Sequence, residues 1–271
     1  MASERTKSVA TFLLLTFGIA WAIWEIPELV GAGPANKFPL IVLVGAFAPA
    51  VAAIIIRKWV DRSGFDDAGL QLRLEQWRYY FAALLIPIII VAFVIIAVPL
   101  LGLARPDWFS AGAATRAPLL LIFAVVAAPI LWGEEFGWRS YLQLRIFPSR
   151  PLPAAIVTGL IWGVWHYPLL ITKPELPMHP LGTLILFPVG TVLYSIIFGW
   201  LRRRSGSIWP SSLAHSGFNN FRSGTIALLF AQVPDMLPIA LLGLIPVAII
   251  AGVIVVRSGL TEVDVRKRSP A

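Results

Sequence analysis

Glu134 and Glu135 stand side by side in Trp132-Gly133-Glu134-Glu135-Phe136-Gly137-Trp138-Arg139, straight after an apolar stretch that runs from Ala117 to Gly133. Ionised carboxylates at membrane depth are costly unless paired or hydrated, so a charge inside a span marks function by default. Adjacent helical positions point about 100° apart, so the two carboxylates address different neighbours. Glu135 and Arg139 are four apart, on one helical face, and read as an ion pair. That leaves Glu134 not neutralised within its own helix and suited to general base or acid work.

Two further segments carry polar chemistry in apolar surroundings. His166 sits in Trp162-Gly163-Val164-Trp165-His166-Tyr167-Pro168, and His215 and Asn219 lie four apart in Ser212-Leu213-Ala214-His215-Ser216-Gly217-Phe218-Asn219-Asn220. A helix over 117–147 followed by an antiparallel one over 152–171 puts Glu134 about 20 Å and His166 about 21 Å from the turn that joins them. The two therefore reach similar depth on neighbouring helices. Imidazole and amide N–H groups held in a dry site stabilise a developing oxyanion, which is the part His215 and Asn219 could take. Glu134 with His166 would then orient and deprotonate water for amide hydrolysis. Glu134, His166 and His215 could instead hold Zn²⁺, since two histidines and one glutamate form a known catalytic zinc set, although no His-Glu-x-x-His helix is present. Arg222 follows Asn219 by three residues and could bind a substrate carboxylate or pair with an acid. Glu25 and Glu28, at the outer end of the first span, and His179, in the loop Thr172–Pro180, read as interfacial and structural.

The elements that must position these groups are membrane helices. Of 271 residues, 58% are hydrophobic and 13% charged, against about 25% charged in soluble domains. Apolar windows near 9–30, 38–56, 79–101, 117–147, 152–171, 181–200, 208–230 and 236–256 predict an all-α bundle of about eight transmembrane helices. Loops are short, so 1–271 reads as one transmembrane domain with a catalytic core at 117–230. With alternating spans, 16 of the 22 basic residues fall on one side, among them Arg57, Lys58, Arg202, Arg203 and Arg204. By the positive-inside rule that side is cytoplasmic and holds both termini, in the cell membrane if the source is prokaryotic. Membrane lipid and a protein or peptide at the membrane are the expected partners. Nothing resembles a groove-reading basic face, so nucleic acid is not expected despite the +8 charge. Absence of cysteine removes disulfides, thiolate metal sites and cysteine nucleophiles together. The first span fits a signal peptide poorly, because its apolar run continues past Ala22 through Trp24 and Ile26. Segment 57–78 reads as an interfacial connector, and no internal repeat argues for a transporter.

Taken in order, the three segments resemble the CPBP family of membrane peptidases, which includes CAAX proteases of the Rce1 type and bacteriocin-processing and self-immunity proteins. Glu134-Glu135-x-x-x-Arg139 and His215-x-x-x-Asn219 match that family's first and third motifs. The second has Trp162 where Phe is usual, four residues before His166. The resemblance implies an intramembrane endopeptidase with Glu134, His166, His215 and Asn219 as catalytic residues, supported by Glu135 and Arg139. It leaves open metallo- or glutamate-dependent chemistry and whether the substrate is prenylated. A non-catalytic self-immunity protein or scaffold is the alternative it implies.

Overall fold

The computed structural model describes residues 2–109, 112–171 and 180–257, and among them there is no β-strand. α1 spans Ala2–Leu29, α2 Pro39–Ala46 and α3 Ala48–Ile55, with a π-helical turn continuing α3 to Val60. α4 covers Trp77–Leu100, α5 Ala113–Val126 and α6 Ala128–Gly137. A second π turn, Trp138–Leu142, leads from α6 into the short α7 at Gln143–Arg145. α8 is Pro151–Trp165, α9 Tyr167–Ile171 and α10 Pro180–Ser205. α11, Trp209–Ser216, passes through a third π turn, Gly217–Arg222, into α12 at Ser223–Leu229, and α13 is Leu237–Arg257. His179 and the tail after Arg257 lie outside the described residues.

An all-α membrane architecture follows, with a change to the count of spans. Among the described residues five helical stretches are long and apolar enough to cross singly: 4–29, 39–60, 74–100, 184–205 and 237–257. A sixth crossing would be α5 with the helix over 128–145, bent by 51° at Ala127. The expected straight helix over 117–147 is therefore two helices. The expected crossing at 152–171 is also broken, because α8 is too short to span alone and ends at His166. The stretch expected at 208–230 is helical but not among the apolar crossings. Ser211, Ser212, His215, Ser216, Asn219, Asn220 and Arg222 make it too polar.

One local rule accounts for three of the breaks. Phe47, Ala127 and His166 each sit near φ −80°, ψ −7°, and each is followed two residues later by a proline. Pro49, Pro129 and Pro168 donate no backbone hydrogen bond and restrict the residue before them, so one helix stops and the next starts with proline in its first turn. Dihedrals in this bridge region recur at active-site residues, and His166 occupies one.

Glycines set how closely the motif helices approach their neighbours. A Cβ on Gly159 of α8 would lie 2.5 Å from Val192 Cα, and one on Gly163 would lie 2.7 Å from Thr191 Oγ1. With glycine at both positions, Thr191 Oγ1 donates to the Gly159 carbonyl at 2.9 Å and ties α10 to α8. Small residues spaced by four are a common membrane-helix contact. Gly133 and Gly137 repeat the device on α6, facing Phe47 and Pro49 of α2–α3.

The segment after α3 is anchored more tightly than an interfacial connector needs to be. Arg57, buried, donates to Asp67 at 2.5 Å, to the Gly64 carbonyl at 2.9 Å and to the Ser140 carbonyl. Arg202, also buried, donates to the Asp67 carbonyl at 2.5 Å and to Ser140 Oγ at 3.2 Å. Ser140 Oγ donates to the Ala68 carbonyl at 2.7 Å, and Trp209 Nε1 to the Leu70 carbonyl at 2.8 Å. Residues 64–71 thus clasp the π turn after α6, the end of α10 and the start of α11. Burial alone would raise the Asp67 carboxyl. The Arg57 hydrogen bond and the Arg145 and Arg57 charges outweigh it and hold that group below its ordinary value.

Candidate active site

Glu134 is buried, and its Oε2 accepts the indole N–H of Trp162 at 2.7 Å. His166 Nε2 stands 4.0 Å from the same oxygen. Glu134 and His166 thus meet across neighbouring helices, as their similar depth predicts. Glu134 is not without a partner, however: Trp162 holds one of its oxygens. At sequence level Trp162 is only an aromatic substitute for Phe with a packing role. Its N–H was legible as a donor that Phe lacks, and the carboxylate in reach was not.

The helix break at His166 shapes this half of the site. Its backbone N–H turns to the Gly163 carbonyl at 3.2 Å, and the Trp162 carbonyl takes the imidazole Nδ1 at 2.9 Å. A carbonyl only accepts, so Nδ1 carries the proton and Nε2, in the neutral ring, presents a lone pair towards Glu134. A gap of 4.0 Å between two acceptors is the span that one water can bridge by donating to both.

The other half is built on Glu135. His215 Nδ1 donates to Glu135 Oε1 at 3.0 Å, and Arg139 Nε lies 3.4 Å from Oε2. Glu135, Arg139 and His215 are all at most 2% exposed. The expected Glu135–Arg139 pair is present, and His215 is a third member that helical spacing could not reveal. The Arg139 guanidinium also lies 4.6 Å over the Trp162 ring and 5.4 Å from that of Phe198. Cation–π contact suits a guanidinium stripped of water. Trp162 stands edge-on to both imidazoles, with ring centroids 5.7 Å from His166 and 5.1 Å from His215. One indole therefore joins the two halves.

Trp162, His166, His215, Asn219 and Arg222 line one cavity of about 340 Å³, whose other walls are mostly apolar residues of α10 and α13. Glu134 touches two of these lining residues, Trp162 and His166, and is not itself part of the lining. His215 is buried while Asn219, inside the π turn, is exposed to the cavity. Such wide turns recur at functional sites. Asn220 instead bonds Ser216 Oγ at 3.0 Å.

The zinc alternative meets these positions only in part. Both imidazoles have Nδ1 engaged by an oxygen, the second-shell pattern that leaves Nε2 for a ligand. Yet among the described residues no three carboxylate or imidazole groups converge closely enough to share an ion.

A family model described as "Type II CAAX prenyl endopeptidase Rce1-like" matches residues 114–221. CAAX prenyl protease 2 of Methanococcus maripaludis is 26% identical over 187 residues, 64% of this chain and 66% of that protein. Over residues 114–221 the chain is similar to the Rce1-like CAAX protease family. The chain spans just under two thirds of the relative's length. The family match takes in α5 through the third π turn, so it contains both carboxylates, Trp162, both imidazoles and Asn219, and it stops one residue before Arg222.

Proposed function

We propose that this chain is an intramembrane endopeptidase that hydrolyses a peptide bond of a membrane-associated protein or peptide, with prenylated CAAX-type chains as the substrate class to try first. One observation carries the reading: two polar half-sites, Glu134–Trp162–His166 and Arg139–Glu135–His215, meet at the wall of a single cavity. In this mechanism a water bridges Glu134 and His166 Nε2, and Glu134 takes its proton as the oxygen attacks the scissile carbonyl. Asn219 donates its amide N–H to the oxyanion that forms.

His215 has a narrower part than the sequence suggested. With Nδ1 given to Glu135, its Nε2 can donate to an oxyanion only when the ring is an imidazolium. Glu135 is the counter-ion for that form, and Arg139 fixes Glu135 in turn. Glu134 then passes its proton to the leaving amine as the tetrahedral intermediate collapses. The placement of basic residues supports both termini on the cytoplasmic side, with the clasped face of Arg57 and Arg202 turned to the cytoplasm.

The test uses full-length protein reconstituted in liposomes and an internally quenched farnesylated peptide, with products identified by mass spectrometry. Wild type is expected to cut one bond, and Glu134→Gln to lose about 10²–10⁴-fold in kcat, the range of a missing general base. Equal turnover by Glu134→Gln would overturn the mechanism, and phenotype without turnover in either protein would favour the scaffold role.

A further inference from the structure

Arg222 ends the third π turn, three residues beyond Asn219, and lines the same cavity as His166, His215 and Asn219. Its guanidinium makes one hydrogen bond, to Ser223 Oγ at 3.1 Å, and rests 5.9 Å from the Tyr194 ring. Its Nε is buried with no hydrogen-bond partner. Among the described residues no acidic side chain lines this cavity, and Arg222 is the one lining residue with a fixed charge. Of the two roles open at sequence level, pairing with an acid of the chain therefore has no partner among the described residues. A guanidinium on the wall of a mostly apolar cavity is costly to keep without an anion.

Five donors in a planar fork match the two oxygens of a carboxylate better than any other anion a peptide carries. Gly243 of α13 faces the fork, and a Cβ there would stand 3.8 Å from Nη2, at ordinary van der Waals distance. Along the helix the order is His215, Asn219, Arg222. A carbonyl held at Asn219 thus has an anion-binding group about 4.5 Å further along the axis at helical rise, little more than one extended peptide residue.

Resting on the endopeptidase reading above, we propose that Arg222 is a specificity subsite that binds a peptide carboxylate close to the scissile bond. Two sources share that chemistry: the free C-terminus of the substrate, or an Asp or Glu side chain beside the bond.

Four peptides separate them, ending in acid or amide and carrying Asp or Asn next to the cleavage site. Binding is measured by fluorescence anisotropy to Glu134→Gln protein in nanodiscs, so it does not depend on turnover. Cleavage by protein with Glu134 intact is measured in parallel. The carboxylate that Arg222 reads should bind about 10–100-fold tighter than its neutral counterpart, the range of one charge-assisted hydrogen-bond pair. Arg222→Gln should lose that ratio while binding the neutral peptide as before, and Arg222→Lys should keep part of it. Equal binding of all four peptides, or an equal loss on charged and neutral peptides in Arg222→Gln, would overturn the proposal. If Glu134→Gln cleaves normally while the carboxylate ratio persists, the hydrolytic mechanism fails and the subsite stands.

Discussion

The indole of Trp162 is the residue on which both halves of the site depend. Its N–H holds Glu134 at 2.7 Å, its carbonyl holds His166 at 2.9 Å, and its ring lies under the Arg139 guanidinium. Trp162→Phe keeps an aromatic ring and the backbone carbonyl, removes the hydrogen bond to Glu134 and leaves a smaller ring against Arg139 and the imidazoles. A hydrogen bond to a charged group is worth about 1.5–3 kcal/mol, so kcat should fall about 10–100-fold. KM should stay within about twofold and thermal stability should change little, because the lost interaction orients the base and does not bind the peptide. Steady-state kinetics with melting curves on the two proteins check this, and a rise in KM at unchanged kcat would count against it. At this scale the sequence was legible where residues on one helix pair at fixed spacing, as with Glu135 and Arg139. It was silent on Glu135–His215 and Glu134–Trp162, which join positions 80 and 28 apart and exist only after packing.

At the scale of elements, the helix that carries Trp162 and His166 owes its place to what it lacks. Gly159 and Gly163 let α8 lie against α10 at backbone distance, and Thr191 closes the contact with a hydrogen bond. Gly159→Ala sets a methyl 2.5 Å from Val192 Cα, and overpacking of this kind costs about 1–3 kcal/mol. The expected outcome is a lower melting temperature with activity reduced, because any outward shift of α8 moves Trp162 and His166 together. Melting curves and initial rates at one temperature check both parts. Apolar runs announced these helices but not their breaks. The residues that stop them, Pro129 and Pro168, were in plain view. Their effect depends on whether a helix bends and continues, as at Pro87 inside α4, or ends, as before Pro129 and Pro168. Runs of hydrophobic residues do not distinguish those outcomes.

For the whole molecule, the clasp formed by residues 64–71 ties the ends of several helices at the basic face, and Asp67 is its charged member. A carboxylate held below its ordinary value adds stability that is present above the unfolded value, near 3.8, and is lost as pH falls through the lower folded value. The difference in melting temperature between wild type and Asp67→Asn should therefore be full at neutral pH and shrink below about pH 4. A difference that grew with acidity would have the wrong sign. The all-helical membrane fold was readable from composition, because 13% charged residues cannot cover a soluble surface. The clasp was not, since Arg57 and Arg202 look like ordinary positive-inside charges until their burial is seen. What unites the three scales is the proposed step, a water driven at a peptide carbonyl by Glu134 inside the bundle. The most direct measurement is a single turnover of a cleavable peptide by excess protein in H₂¹⁸O, with products and the digested protein weighed by mass spectrometry. The account predicts one ¹⁸O atom in the new carboxyl group of the peptide and none in the fragment containing Glu134. An unlabelled product with ¹⁸O in the Glu134 fragment would mean that the carboxylate attacked the peptide itself, and would contradict it.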